Sequence, residues 1–359
     1  MKTPAPLRPG SVVGITAPSS GVQDELRPRL AVAIDALRSR GYEVVVGECI
    51  GQPGVTSAPA PERAAELMAM LRDPAIDAIV PPWGGELAVE VLPLLDVDAL
   101  ADVAPTWVVG YSDISTLLLP LTCRLGWVTL HGQNLMDTPN RVPAPLASWI
   151  EVVESTQPAT ITQGPSERHG TNGYADWVAH PASDEFALDA VGSWRPLDPA
   201  VTSVHAAGTL IGGCIETTSM LAGTPFGDVA AFAEQHAPDG LVVYVEAAEE
   251  HALAIARSLW RMRLAGWFDH ANAVLVGRTR APDDPGFTQV DAVRSALADV
   301  RSASPSARLI EMAPDLVGLT DVADIVGVSR QNMRKLMLAH PSSFPAPVHE
   351  GSASIWHLA

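Results

Sequence analysis

Short continuous apolar runs alternate along this chain with longer stretches in which apolar residues recur every three or four positions. The run Val12-Val13-Gly14-Ile15 within 11–19 has the make-up of a buried strand and ends in the turn formers Pro18 and Ser19. Residues 26–40 carry helical periodicity and are closed by Gly41. A second strand is predicted over 42–46, a helix opening with Pro61 and Glu62 over 61–71, and a third strand over 75–81. A helix over 86–92 and a fourth strand over 107–109 follow. Strands that are apolar on both faces and separated by helices predict a parallel sheet covered on both sides.

Residues 141–198 break this rhythm with Pro, Gly, Thr and Trp, and read as a connector that carries loops to a site. Strands return at 208–211, 241–245 and 273–276, and helices at 216–221, 249–265 and 288–300. Residues 301–314 read as a linker. The expectation is an α/β chain with an N-terminal domain at 1–140, a connector and substrate loop at 141–200 and a second α/β domain at 201–300. After the linker comes a small segment at 315–359. A length of 359 residues suits two or three domains.

Composition narrows the function classes. A net charge of −18 argues against broad attraction to nucleic acid or anionic membrane, and an apolar fraction of 47% is ample for sizeable cores. No apolar run reaches the roughly 18 residues of a membrane span. The start Met1-Lys2-Thr3-Pro4 lacks the apolar core of a secretion signal, so a cytoplasmic protein is expected. Cys49, Cys123 and Cys214 have no metal-like spacing and read as reduced thiols; neither metal nor cofactor is implied.

Three features fall at the carboxyl ends of predicted strands, where an open parallel sheet places its chemistry. In Gly110-Tyr111-Ser112-Asp113, a strand ends in a glycine and a small hydroxyl residue before Thr116-Leu117-Leu118-Leu119 begins a helix. Such a turn pushes a serine oxygen out of the backbone, which makes Ser112 a candidate nucleophile. Gly84-Gly85 lets backbone N–H groups approach a substrate carbonyl, so Gly85 and Asp113 are the candidate oxyanion donors. Glu246 ends the apolar run 241–245 and could orient a histidine base.

These residues resemble, in order and context, the serine peptidase family that contains the L,D-carboxypeptidases of murein recycling and the microcin-C self-immunity peptidases. The resemblance rests on Leu7-Arg8-Pro9-Gly10 with Ala17-Pro18-Ser19, on Ser57 and Glu62-Arg63-Ala64, and on Trp83-Gly84-Gly85. It continues through Gly110-Tyr111-Ser112-Asp113, His131-Gly132, 208–213, Ala222-Gly223-Thr224-Pro225 and Val243-Tyr244-Val245-Glu246. It implies Ser112 as nucleophile, Glu246 as charge-relay acid, Gly85 and Asp113 as oxyanion hole, and a small peptide as substrate. It also implies a homodimer, and a substrate site that includes Trp83 and the connector tryptophans Trp177 and Trp194. Members supply a histidine in a Gly-His context after a strand that follows the helix near Thr288. Here that place reads Ser304-Pro305-Ser306-Ala307-Arg308-Leu309-Ile310-Glu311-Met312, and no histidine lies between His270 and His340. His131 fits a family motif near the serine in a structural role, and His251 is expected to face solvent. An impaired enzyme is the expectation, because losing one triad member costs about 10⁴ to 10⁶ in rate.

The segment 319–336 reads as helix, glycine turn and helix, with Thr320 and Ser329 as caps. It resembles helix-turn-helix modules of the AlpA/excisionase and MerR-like type, with 344–348 and Ile355-Trp356 as a short wing. The resemblance puts Arg330, Gln331, Asn332, Arg334 and Lys335 on a recognition helix able to reach DNA. From Asp315 onward there are four acids and three bases, so the segment lacks the basic character of most nucleic-acid binders. The alternative function is therefore a DNA-binding regulator whose inactive peptidase-like domain senses a ligand.

Overall fold

Apolar runs and amphipathic stretches fold, in a computed structural model, into two largely parallel sheets with helices packed on them. The structure describes residues 1–51, 54–156, 159–171, 175–298, 300, 310–312, 316–318 and 355–357. The chain divides into two units, Met1–Met312 and Ala313–Ala359.

The first sheet is built from β1 (Val12–Ile15), α1 (Arg27–Ser39), β2 (Glu43–Val46), α2 (Ala60–Arg72), β3 (Ala78–Ile79), β4 (Trp107–Gly110), α3 (Ser115–Leu125) and β5 (Leu130–His131). Its strand order is β2-β1-β3-β4-β5 and every pair is parallel. The order reverses direction at β1, so the loops leaving β1 and β3 diverge and open a crevice at the carboxyl edge. Pro81 and Pro82 lack N–H groups, which stops β3 after two residues and sends Trp83, Gly84 and Gly85 into that crevice.

The second sheet follows α4 (Trp149–Glu154), β6 (Arg168–His169) and β7 (Ala190–Val191), the last two forming an antiparallel pair. It contains β8 (Trp194–Pro196), β9 (Thr209–Cys214), β10 (Leu241–Glu246), β11 (Ala271–Val276) and β12 (Ile310–Met312) in the order β8-β12-β11-β10-β9. Only the edge strand β8 runs antiparallel. Between these strands lie α5 (Ile215–Leu221), α6 (Val229–His236), α7 (Ala252–Leu264) and α8 (Gln289–Leu297). Helix α3 joins the two sheets, because Leu117, Leu118 and Leu121 share one core with Ile211 and Val243. Each such fully buried leucine contributes about 1.5–3 kcal/mol of transfer free energy.

Several sequence expectations differ from the structure, most of them because of bonds made to distant residues. The helix expected at 86–92 is instead two short 3-10 turns, Ala88–Glu90 and Leu92–Leu94. The Asp113 carboxylate takes the Ala88 N–H and Pro93 has none to give, so no α-helical ladder runs through. Helix α7 starts at Ala252 rather than 249, because the Glu216 carboxylate binds the N–H groups of Ala248, Glu249 and Glu250. Residues 310–312, expected within a linker, pair with β11 as strand β12. Helix α6 was not expected; Asp228 caps it by accepting the Ala231 N–H at 3.0 Å.

In the smaller unit, β13 (Leu316–Gly318) and β14 (Ile355–His357) form an antiparallel pair. The expected helix-turn-helix at 319–336, with Arg330, Gln331, Asn332, Arg334 and Lys335, lies outside the described residues.

Close packing of β9 on β10 gives a direct test. A Cβ at Gly212 would collide with the backbone carbonyl of Tyr244 on β10. Gly212→Ala is expected to cost at least about 3 kcal/mol, an overpacking penalty that no rotamer change relieves. Gly223→Ala, where a Cβ would meet only Ala265 Cβ at 3.8 Å, is expected to cost about 1 kcal/mol from its φ of +78°. Equal thermal midpoints for the two variants would contradict this.

Candidate active site

All four residues of β4 are buried, and the chain leaves it through Gly110 and Tyr111 into a short turn at Ser112–Ile114. Ser112 has φ +60°, the one left-handed non-glycine residue among those described. Such a conformation costs of order 1–3 kcal/mol and persists only where its surroundings enforce it. Here the enforcing group is the next residue. The Asp113 carboxylate is fully buried and accepts three hydrogen bonds. Ser19 Oγ donates to Oδ2 at 2.5 Å, the Ala88 N–H donates to Oδ2 at 2.7 Å and Thr116 Oγ1 donates to Oδ1 at 3.1 Å. Asp113 thereby ties together the loops after β1, β3 and β4.

Glycine at 84 and 85 is a steric requirement. A Cβ at Gly84 would lie 2.9 Å from the Asp113 amide nitrogen and 3.0 Å from Ser112 Oγ. A Cβ at Gly85, whose φ is +144°, would strike the hydroxyls of Ser19 and Ser20. Neither the Gly85 nor the Asp113 amide donates a hydrogen bond to a described residue. Two free N–H groups beside a strained serine hydroxyl are what an oxyanion hole needs.

Ser112, Trp83, Gly84 and Gly85 line a cavity of about 460 Å³. His131, Glu246 and Arg278 line an adjoining one of about 490 Å³, and Tyr111, Asp137 and Trp177 line both. The carboxyl ends of both sheets thus open on one two-compartment cleft. Trp83 is fixed by donating its Nε1 proton to the Ser20 carbonyl at 3.1 Å. Trp177 stacks on the Arg29 guanidinium, 4.7 Å from the ring centroid. Trp194 is placed elsewhere: it sits on β8 opposite Met312 and is 37% exposed, so its expected place in the substrate site is not met.

Glu246, at the end of β10, is pushed up to about 7, first by burial and then by the charge of Glu216. Its Oε1 lies 3.7 Å from His131 Nε2. His131 Nδ1 is 3.3 Å from Ser115 Oγ, which in turn accepts the Cys214 N–H at 3.2 Å. Burial pushes His131 down to about 4, so its imidazole is neutral at neutral pH and a weak proton acceptor. His131 therefore meets Glu246 and Ser115 rather than Ser112. The Ser112 hydroxyl makes no hydrogen bond to any described residue, histidines included. His251 is exposed, as expected, with Nδ1 3.9 Å from Asp284.

Sequence reasoning found the turn, the glycines and the strand-end acid. It missed Asn134, whose Oδ1 accepts the Tyr111 N–H at 3.2 Å, and Asp137, which burial pushes up to about 6. It also missed Arg278, two residues beyond β11; a basic residue after a strand-end glycine was the available signal. Among the described residues no group of histidine, cysteine and carboxylate side chains could hold a metal ion, and no helix is long and apolar enough to cross a membrane.

Comparison with known proteins matches the arrangement. Residues 13–132 match the LD-carboxypeptidase N-terminal domain and residues 207–309 the LD-carboxypeptidase C-terminal domain. A Streptomyces coelicolor protein classed as a carboxypeptidase is 30% identical over 282 residues, 76% of each chain. The microcin C7 self-immunity protein MccF of Escherichia coli is 23% identical over 287 residues, 79% of each chain. Its structure in complex with aspartyl sulfamoyl adenosine superposes with a TM-score of 0.69 at 20% identity, covering 86% of this chain and 88% of that one. A muramoyltetrapeptide carboxypeptidase from Oxalobacter formigenes superposes with a TM-score of 0.55 at 19% identity, over 84% of this chain and 87% of that one. Matching domain models on both sheets, together with a relative of this identity and coverage, make the chain a member of the LD-carboxypeptidase family of peptidases.

Proposed function

We propose that this protein is a serine hydrolase that cleaves a peptide bond beside a free carboxylate in a small peptide, either a murein tetrapeptide or a microcin-like peptidyl-nucleotide. The observation that carries this reading is Ser112 at φ +60°, with Gly84 against its hydroxyl and the cleft in front of it. Ser112 attacks the carbonyl carbon. The amides of Gly85 and Asp113 hold the oxyanion, an interaction worth about 3–4 kcal/mol per donor in a water-poor site. Trp83 and Trp177 form apolar walls that hold the substrate across the serine.

Proton transfer is where this chain departs from its family pattern. No histidine lies between His270 and His340, and His131 is engaged with Ser115 and Glu246. In this reading Glu246 is the titrating acid of the cleft. It takes up the serine proton directly or through water and returns it to the leaving amine as the C–N bond breaks. Water then hydrolyses the Ser112 ester and restores the hydroxyl. A carboxyl held near 7 is better suited to that role than an ordinary one, since a general base works best with a pKa near the operating pH. Turnover is accordingly slow against an intact triad, by about 10⁴ to 10⁶.

Ser112→Ala is expected to bring release of the terminal residue from a murein tetrapeptide, or of the aminoacyl group from aspartyl sulfamoyl adenosine, below about a tenth of the wild-type rate. Rates that match wild type on both substrates would refute the nucleophile. The wild-type rate is expected to fall as pH drops through about 7, where Glu246 takes up its proton, and Glu246→Gln is expected to abolish that limb.

Stability should carry the opposite sign. The folded state holds the Glu246 proton up to about 7, whereas an unfolded chain releases it near the ordinary 4.5. Between those values rising pH therefore costs the fold up to about 3 kcal/mol, a cost that is complete above 7. Thermal melts should show Glu246→Gln gaining on wild type at pH 8 and matching it near pH 4.5. A gap that does not change with pH would contradict the burial of a high-pKa carboxyl.

A further inference from the structure

Polar atoms without partners cluster around the Glu246 compartment. Among the described residues, Glu246 Oε1, Trp177 Nε1 and Arg278 Nε and Nη2 are buried with no hydrogen bond, and all three residues line the same cavity. His169 Nδ1 is another such atom, on an imidazole held below its ordinary range by burial and by the nearby Arg278 charge. A buried donor left unpaired costs about 1–3 kcal/mol, and more when it is charged. Native proteins keep such groups where something else completes them.

Arg278, a half-buried residue whose Nε and Nη2 are enclosed, stands out against the fully buried arginines. Arg29 donates to the carbonyls of Met136, Pro181 and Ser183 and to Asn140 Oδ1. Arg63 donates to the carbonyls of Ala58, Pro18 and Leu87 and to Glu90. Both are saturated structural ties. Arg278 has neither ion pair nor hydrogen bond among the described residues, although it follows Gly277, whose Cβ would lie 2.6 Å from Glu246 Cβ. A Cβ at Gly192 would collide with Nη2, so the glycine is what leaves room for the guanidinium at this position.

Nε and Nη2 form one edge of the guanidinium plane, with two parallel N–H donors spaced for two oxygens of one anionic group. We infer that Arg278 anchors a carboxylate or phosphoryl group of the molecule bound in the cleft, with Trp177 Nε1 as an additional donor. The Trp177 ring spans both compartments, so a ligand held by Arg278 extends toward Ser112. This assignment rests on the cleft being the substrate site but does not require turnover.

Titration calorimetry with full-length Ser112→Ala protein tests it through binding alone. The two probes are adenosine monophosphate, which offers a phosphoryl group, and a murein tripeptide, which offers only carboxylates. At least one probe is expected to bind, and adding Arg278→Gln should weaken it about 30-fold, the loss of a charge-assisted pair. Arg278→Lys should weaken it about 10-fold, because a point charge cannot replace the paired donors. The probe that responds identifies the anion. The ligand-free thermal midpoint of Arg278→Gln should equal or exceed that of its parent, since a half-buried charge with two enclosed, unpaired donors has been removed. Failure of both probes to bind, unchanged affinity in Arg278→Gln, or a lowered ligand-free midpoint would each overturn the assignment. Arginine-dependent binding alongside serine-independent hydrolysis would sink the hydrolase reading and leave this one standing.

Discussion

The buried Asp113 carboxylate is the constraint on which the cleft depends. Its two oxygens gather Ser19 from the loop after β1, Ala88 from the loop after β3 and Thr116 from helix α3. A charged acceptor with three donors is among the stronger arrangements a protein interior offers, about 1.5–3 kcal/mol per bond. That is enough to offset a left-handed backbone at the preceding residue. Asp113 thus serves twice, its side chain fixing the turn while its amide stays available to a ligand. Removing the carboxylate would release the Ser112 backbone and would also leave three buried donors unpaired.

A second constraint brings the acid into the cleft that the serine lines. Ser115, three residues past Ser112, accepts the Cys214 N–H where β9 ends, and a Cβ at Gly213 would lie 2.9 Å from Ser115 Cβ. The second sheet therefore docks on helix α3 with its carboxyl edge beside the serine turn. Glu246, one strand over from Cys214, comes to share a cleft with a residue 134 positions earlier in the chain. His131 fills the seam, touching Ser115 on one nitrogen and Glu246 on the other. Burial there keeps the imidazole neutral and the carboxyl protonated below about 7.

Much of this was legible in the sequence, because it depends on local backbone chemistry. Continuous apolar strands, a glycine before Ser112, the Gly84-Gly85 pair and Glu246 at a strand end each announce themselves within a few residues. What escaped depends on closures across the chain. The helix expected at 86–92 fails because a carboxylate 25 residues away takes one of its N–H groups. The start of α7 shifts because Glu216 binds three amides more than 30 residues downstream. Arg29 is a structural tie only because it meets carbonyls about 150 residues later, and Arg278 stands apart only because it meets none. No periodicity carries such information. Trp194 shows the converse, a residue type suited to a substrate wall that the fold places on an edge strand.

A left-handed backbone at Ser112, in a turn that lines the cleft beside two unpartnered amides, should make its hydroxyl reactive. Incubation with a fluorophosphonate, followed by intact mass measurement and peptide mapping, reads this most directly. One covalent adduct, on Ser112, is expected, forming faster above pH 7 than below it. An unmodified protein, or an adduct on another residue with Ser112 untouched, would contradict it.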